Sequence, residues 1–358
     1  MKVGYSFWGF LSDYRLFNGE EISASDGCYL YVWSIINELV KRGHSVYRMM
    51  PDRDNESVSK YGLEAFSLFS KDKRYRAYNS LQEKKYPELD VLFLEWRWEI
   101  PGRNSGTDKN NSEYTPDLDI QTQLLDYYSK TDTIIIASDQ DYKMNSEDYK
   151  KVDVVFDWGF KHGWHVDVPF DWEEIWQFPI KELRTYPICY VGSRYERDWA
   201  VDKYLGSIGS NVDITLFGNW LERGRESDKK WPSLKFPSNK RISNFELKEI
   251  LSSTFLSPLL AKEDYCKFGL MTGRIIECLL FGCVPVGVSE FYGVRKYLPE
   301  GLVISDANHF LGLAKDNQVS KMLLIDQLRS SLSWMDVSHF VDRIETAYQY
   351  GINIKRKK

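Results

Sequence analysis

Residues 268–288 read Phe268-Gly269-Leu270-Met271-Thr272-Gly273-Arg274-Ile275-Ile276-Glu277-Cys278-Leu279-Leu280-Phe281-Gly282-Cys283-Val284-Pro285-Val286-Gly287-Val288. A helical apolar pattern runs from about Met271 to Phe281 and stops at Gly282, a residue suited to the left-handed position that ends a helix. The next run, Cys283–Val288, is apolar without alternation, as in a strand covered on both faces. A helix delivered by a short glycine turn into a doubly covered strand is the repeating unit of parallel α/β layers.

The same alternation extends through the chain. In the N-terminal half strands are expected at Lys2–Phe7, Ser45–Met49, Val91–Trp96, Thr133–Ser138 and Val152–Phe156. After Pro179 the pattern restarts with Ile188–Gly192, Val212–Gly218, Phe255–Leu259, Cys283–Val288 and Leu302–Ser305. Between the first two strands a helix is expected from about Tyr29 to Lys41, closed by Gly43. With 358 residues the chain is long enough for two domains of ordinary size. The expected division is 1–178, 179–335 and a C-terminal helix with a basic tail, 336–358, packing back on the N-terminal domain. The stretch from Pro101 to Ser112 is polar and turn-rich and reads as a loop.

Composition narrows the class. Hydrophobic residues at 43% and charged residues at 28% are those of a soluble globular protein, so cytoplasmic residence without a membrane partner is expected. No apolar run reaches the roughly 18–20 residues of a membrane span. The N-terminal Met1-Lys2-Val3-Gly4-Tyr5-Ser6-Phe7 lacks the apolar region of a signal peptide and reads as an immediate strand. Five scattered cysteines with no C-x-x-C pair are expected to be core thiols. The net charge of −5 argues against indiscriminate binding to polyanions. A local basic segment nevertheless carries Arg223, Arg225, Lys229, Lys230, Lys235, Lys240 and Arg241 against Glu222, Glu226 and Asp228, and the chain ends Lys355-Arg356-Lys357-Lys358. A solvated face accounts for such a run as well as a polyanion site does.

In doubly wound folds ligands sit beyond the carboxyl ends of the strands. Three such ends stand out. In Tyr190-Val191-Gly192-Ser193-Arg194-Tyr195-Glu196-Arg197, Gly192 lets the backbone approach a phosphate, Ser193 offers a donor, and Arg194 and Arg197 offer charge for a diphosphate. A helix cap followed by surface arginines explains the same residues. Thr215-Leu216-Phe217-Gly218-Asn219-Trp220 again runs into glycine and an amide, or into an ordinary turn. Arg274 and Glu277, three apart, share a helix face, where an arginine suits a diphosphate and a carboxylate suits ribose hydroxyls; a local ion pair is the alternative.

In the N-terminal half the carboxylates are the candidates for acid–base work. Asp26 precedes the first helix, where an N-cap role competes. Asp139 and Asp141 follow Ile134–Ser138, where a turn-forming role competes. Glu95, in Leu94-Glu95-Trp96-Arg97-Trp98, also ends a strand. Trp96, Arg97 and Trp98 suit stacking on a base turned out of a duplex, or plain loop packing. The Phe7-Trp8-Gly9-Phe10 loop follows the first strand. His162 and His165 lack a clustered third ligand and read as structural. Of the three Asp-x-Asp pairs, only Asp139/Asp141 is well placed for a divalent ion.

The ensemble resembles the GT-B glycosyltransferases and, among them, the phage DNA β-glucosyltransferases that modify 5-hydroxymethylcytosine. The resemblance rests on Ser25-Asp26-Gly27-Cys28-Tyr29-Leu30-Tyr31, Phe178-Pro179-Ile180, Gly192-Ser193-Arg194, Phe217-Gly218-Asn219 and Arg274-Ile275-Ile276-Glu277, in order over most of the chain. It implies two Rossmann-like domains facing a central cleft, the C-terminal one binding the sugar nucleotide. Ser193, Arg194, Arg197 and Arg274 would then contact the diphosphate, with Gly192 and Asn219 in the same turns. Glu277 would hold the ribose, and Gly218 with Ile242 would line the uracil pocket. The arginine spacing after Ser193 departs from the family's, so the division of work between Arg194 and Arg197 stays open. Asp139 aligns with the general base and Asp26 with its acidic partner; Asp141 is the alternative base. The resemblance further implies UDP-sugar as co-substrate and duplex DNA containing 5-hydroxymethylcytosine as acceptor. A monomer is expected, with no tightly bound cofactor and a divalent metal compatible but not required. Glucose, or a pentose such as arabinose, would be the sugar.

Overall fold

The computed structural model describes residues 1–6, 29–49, 75–77, 86–96, 117–140, 142, 144–220, 230–239, 242–316 and 318–356. The described residues fall into two compact units, one made of those up to Phe170 together with those from Asp336 onward, the other of Asp171–Met335.

The first unit carries β1 (Lys2–Ser6), β2 (Ser45–Arg48), β3 (Tyr75–Ala77), β4 (Val91–Glu95), β5 (Ile134–Ser138), β6 (Val154–Asp157) and β7 (Trp164–His165). They pair in parallel in the order β3-β2-β1-β4-β5-β6-β7. All residues of β4 and β5 are buried, as unalternated apolar runs require. The order reverses between β1 and β4. Register then brings Glu95 opposite Ser138, so the ends of β4 and β5 lie side by side. The expected strands are present within a residue or two of their expected bounds, β6 starting two residues later and ending one later. Strands β3 and β7, of three and two residues, were not anticipated, because such short elements carry no periodicity.

The Tyr29–Lys41 helix has the expected bounds, and Gly43 after it sits at φ 86°. The last helix, Val337–Lys355, belongs to this unit. Arg42 donates to Asp342 at 2.6 Å and to Glu345 at 3.1 Å, and Lys355 donates to the Thr133 carbonyl at 2.6 Å. Gly351 lies so close to Ile134 that a Cβ would come within 2.5 Å of it.

The second unit carries β8 (Tyr186–Val191), β9 (Ile214–Phe217), β10 (Thr254–Pro258), β11 (Val284–Val288) and β12 (Val303–Ile304) in the parallel order β12-β11-β10-β8-β9. Here the order reverses between β8 and β10. The helix before β11 spans Arg274–Phe281 and ends at Gly282 with φ 75°. It begins three residues later than its apolar pattern, because residues 270–273 link it to the Glu263–Phe268 helix, itself closed by Gly269 at φ 66°.

Arg329, 2% exposed, donates to the carbonyls of Leu279 (3.0 Å), Leu280 (3.2 Å) and Phe178 (3.1 Å), satisfying the C-terminal carbonyls of the Arg274–Phe281 helix. Cys189, Cys266, Cys278 and Cys283 are buried free thiols. Burial pushes Cys189 and Cys266 up to about 12, which keeps them unreactive. Among the described residues no helix is long and apolar enough to cross a membrane.

Candidate functional site

In the second unit, the turns after β8 and β9 are locked to each other. Gly192 N–H donates to the Phe217 carbonyl at 2.9 Å and Arg194 N–H to the Asn219 carbonyl at 3.0 Å. Gly218 has φ 110°, and a Cβ there would lie 2.1 Å from the Gly192 carbonyl oxygen. A Cβ on Gly192 would strike the Tyr190 ring at 2.7 Å. Both glycines are therefore required by close approach of backbone to backbone or ring, and the result is a pair of interlocked turns at adjacent strand ends. Gly218→Ala should cost on the order of 2–4 kcal/mol, combining αL strain with the clash. The check is a lowered thermal midpoint; an unchanged midpoint would refute the lock.

The arginines of these turns differ in how they are held. Arg194 binds Asp198 through Nε (2.7 Å) and Nη2 (2.5 Å), and its guanidinium lies 5.0 Å from the Trp231 ring centre. The hydrogen bond from Arg194 holds the Asp198 carboxyl below its ordinary range against desolvation, and Lys230 at 3.2 Å adds to that. Arg197 touches carbonyl oxygens instead: Tyr195 at 2.8 Å, Ser193 at 3.3 Å and Leu260 at 3.3 Å. Arg274 forms an ion pair with Glu277 and lies 5.8 Å from the Tyr190 ring centre. Burial pushes the Glu277 carboxyl up, Arg274 pulling it back. The ion pair offered as the alternative for Arg-x-x-Glu is thus formed, with both partners at the start of the Arg274–Phe281 helix.

Lys262, just beyond β10, went unread in the sequence: a single lysine after an apolar run carries no pattern. Its ammonium stands 3.6 Å from Glu196 and over the rings of Tyr195 (4.5 Å) and Tyr265 (5.1 Å). Glu196 adopts φ 52°, a left-handed conformation uncommon for a side-chain-bearing residue. Ile242, half-buried, directly precedes Ser243, which caps the Asn244–Ser252 helix with a capping box to Glu246.

The described part of the basic segment is neutralised. Lys230 pairs with Asp198 (3.2 Å) and Asp202 (3.0 Å), and Lys235 with Asp213 (2.8 Å). Arg223, Arg225, Lys229, Lys240 and Arg241 lie outside the described residues.

In the first unit, Asp139 follows β5 and is 1% exposed. Its Oδ2 accepts from Met144 N–H (2.8 Å) and from the Tyr149 hydroxyl (2.7 Å). Next to it, Asp157 at the end of β6 accepts from the Tyr142 hydroxyl (2.6 Å) and from Gly159 and Lys161 N–H (both 2.8 Å), fastening the following loop. Glu95 is fully buried between the hydroxyls of Tyr5 and Tyr31, the latter at 3.0 Å, and Gln140 donates to Tyr31 at 2.7 Å. Burial pushes Glu95 up to about 8, the tyrosine hydrogen bonds pulling back only partly.

Trp96 corrects an expectation. It is 2% exposed and packs in the core with Leu92, Leu94, Tyr128 and Met144. A buried indole offers no face to a base, so the packing alternative describes it. Arg97 and Trp98 lie outside the described residues, as do Asp26, Asp141 and the Phe7–Phe10 loop. His165 bonds the Gly159 carbonyl (2.5 Å) and Asp167 (3.2 Å), and the His162 ring lies beside Tyr142 and Tyr149. Among the described residues no three His, Cys, Asp or Glu side chains come together as a metal-ligating group.

No family model and no curated protein matches the sequence. Solved structures do. T4 phage β-glucosyltransferase in complex with UDP and Mn2+ is 13% identical, with 97% of this chain and 99% of that chain covered and a TM-score of 0.60. The fold is GT-B. A glycosyltransferase involved in avilamycin A biosynthesis matches at a TM-score of 0.57, 11% identity, 99% of this chain and 98% of that one. Sucrose-phosphate synthase from Thermosynechococcus elongatus follows at 0.52, 12% identity and 98% of each chain. The T4 phage enzyme is a DNA modifying enzyme solved also with its UDP-glucose substrate. At such identities the likeness is one of fold. Within this GT-B chain, the two reversals of strand order put one candidate cluster in each unit, around Glu95 and Asp139 in the first and around Gly192, Arg197, Lys262 and Arg274 in the second.

Proposed function

We propose that the protein is an inverting glycosyltransferase that moves a sugar from a UDP-sugar to the hydroxymethyl group of 5-hydroxymethylcytosine in DNA. The observation that carries the reading is the cluster at the β8–β10 reversal of a GT-B fold. There, two interlocked glycine turns close adjacent strand ends, and arginines stand with a buried carboxylate at a helix start. Those are groups that a nucleoside diphosphate requires: guanidinium for the phosphates, and a carboxylate for paired ribose hydroxyls.

In this reading the second unit, Asp171–Met335 with Gly192, Ser193, Gly218, Asn219 and Ile242, holds the donor, and the first unit handles the acceptor. Asp139 takes the proton of the acceptor hydroxyl as its oxygen attacks the sugar's anomeric carbon from the face opposite the diphosphate. The bond from that carbon to the diphosphate oxygen breaks, and arginine charge stabilises the departing UDP. Asp26 and Asp141 keep the roles of acidic partner and alternative base, and Arg97 and Trp98 that of meeting the acceptor base. The transferred sugar is glucose or a pentose such as arabinose. The enzyme works in the cytoplasm as a monomer, without a tightly bound cofactor.

The deciding experiment is nucleoside mass spectrometry on hydroxymethylcytosine-containing duplex DNA incubated with the protein and a panel of UDP-sugars. A hexose- or pentose-sized gain supports the reading and names the donor class. No gain, with UDP-sugar still bound or hydrolysed, would move the acceptor to a small molecule or glycan. Two observations favour that second reading: the neutralised Lys230 and Lys235, and the comparable likeness to the glycosyltransferase involved in avilamycin A biosynthesis.

A further inference from the structure

Four cationic side chains gather where β8 and β10 part: Arg194, Arg197, Lys262 and Arg274. They differ in what would be lost if an anion arrived. Arg194 is committed. Its bidentate bond to Asp198 satisfies the planar fork of the guanidinium, and its flat face is occupied by Trp231. Asp198 itself opens the Asp198–Tyr204 helix, where negative charge is favoured. Pulling Arg194 toward a ligand would break two charge-assisted hydrogen bonds and a stacking contact at once.

Lys262 is placed differently. It follows the strand on the other side of the reversal, and its ammonium lies against Tyr195 and Glu196 of the turn whose Tyr195 carbonyl Arg197 holds. Lys262 and Arg197 therefore flank one turn at the position where open parallel sheets bind their ligands. The Glu196 carboxylate stands 3.6 Å away, beyond hydrogen-bonding distance, with its side chain 57% exposed against 17% for Lys262. A pair of that kind contributes little and exchanges readily. The two tyrosine rings add cation–π contacts to the ammonium. Arg197, meanwhile, donates to carbonyl oxygens and, among the described residues, to no carboxylate.

We infer that Lys262, with Arg197 and Arg274, lines the diphosphate subsite for a nucleoside diphosphate, and that Arg194 is a strut holding the Gly192–Arg197 turn. The inference rests on the donor reading proposed above. Glu196 turns to solvent as the diphosphate takes its place beside Lys262, and Arg194 stays on Asp198.

The test titrates wild type, Lys262→Gln, Lys262→Arg and Arg194→Gln with UDP by calorimetry and with uridine by NMR, alongside thermal midpoints. Lys262→Gln should weaken UDP binding about tenfold or more, leave uridine binding within about twofold and leave the midpoint unchanged. Lys262→Arg should restore most of the UDP affinity. Arg194→Gln should lower the midpoint while keeping the ratio of UDP to uridine affinity. A Lys262→Gln ratio equal to that of wild type, or a ratio that collapses in Arg194→Gln, overturns the assignment. Wild type that binds no UDP would sink the donor reading itself and this assignment with it.

Discussion

Asp139→Asn is expected to lower kcat for sugar transfer by about a hundredfold to ten-thousandfold, with UDP affinity unchanged. The size follows from removing a general base while keeping the shape around it. Asp139 Oδ2 accepts from Met144 N–H and the Tyr149 hydroxyl, and an asparagine oxygen can accept both. The turn should therefore survive, which an alanine would not guarantee, and a thermal midpoint close to wild type is part of the expectation. Rate loss confined to kcat in single-turnover measurements assigns the side chain to the chemical step. A variant that transfers at the wild-type rate would remove Asp139 from the mechanism and pass the role to Asp141.

Glu95→Gln should reshape the dependence of stability on pH. The carboxyl is fully buried with tyrosine hydroxyls and, among the described residues, no cation in contact, and burial raises it from 4.5 to about 8. With a folded value above the unfolded one, the unfolded chain ionises first as pH rises. Between 4.5 and about 8 the folded state still holds a proton that the unfolded state has released, so stability falls across that window and levels off above it. At about 1.4 kcal/mol per unit, the loss reaches at most about 5 kcal/mol between those limits. Glutamine carries no such proton. The variant and wild type should melt together near pH 4.5, and the variant should melt several degrees higher at pH 8. All other titrating groups are common to the two proteins and cancel in the difference. Parallel curves of midpoint against pH would show that Glu95 is ionised throughout.

How much of this was legible in the sequence depends on how local each feature is. Unalternated apolar runs announced every described strand long enough to show a pattern, and Gly43 and Gly282 marked their helix ends because left-handed closure favours glycine. The strand-end turns were legible for the same reason, since Gly192 and Gly218 stand where backbone meets backbone or a ring. Partners were less legible. Asp198 lies four residues from Arg194 on the sequence and its pairing was open to reading, but Trp231, which completes the clasp, lies on a distant segment. Tyr5 reaches Glu95 from the neighbouring strand, 90 residues away in the sequence, and Tyr149 reaches Asp139 from a separate short helix. Trp96 misled because Trp-Arg-Trp beside a strand end looks like a surface for stacking, and only packing reveals it as core. Lys262 gained its meaning from strand order, which no local pattern encodes.

The closing helix makes the described second unit an insertion. Asp336 pairs with Phe170, and Val337 N–H reaches the Phe170 carbonyl at 2.9 Å, so the chain returns to the first unit at the place it left. Arg42 and Lys355 then fasten the returning helix, through Asp342 and the Thr133 carbonyl. The described residues of the second unit all lie between those clasped ends, from Asp171 to Met335. That is how a guest domain is carried by a host, entered and left through one doorway.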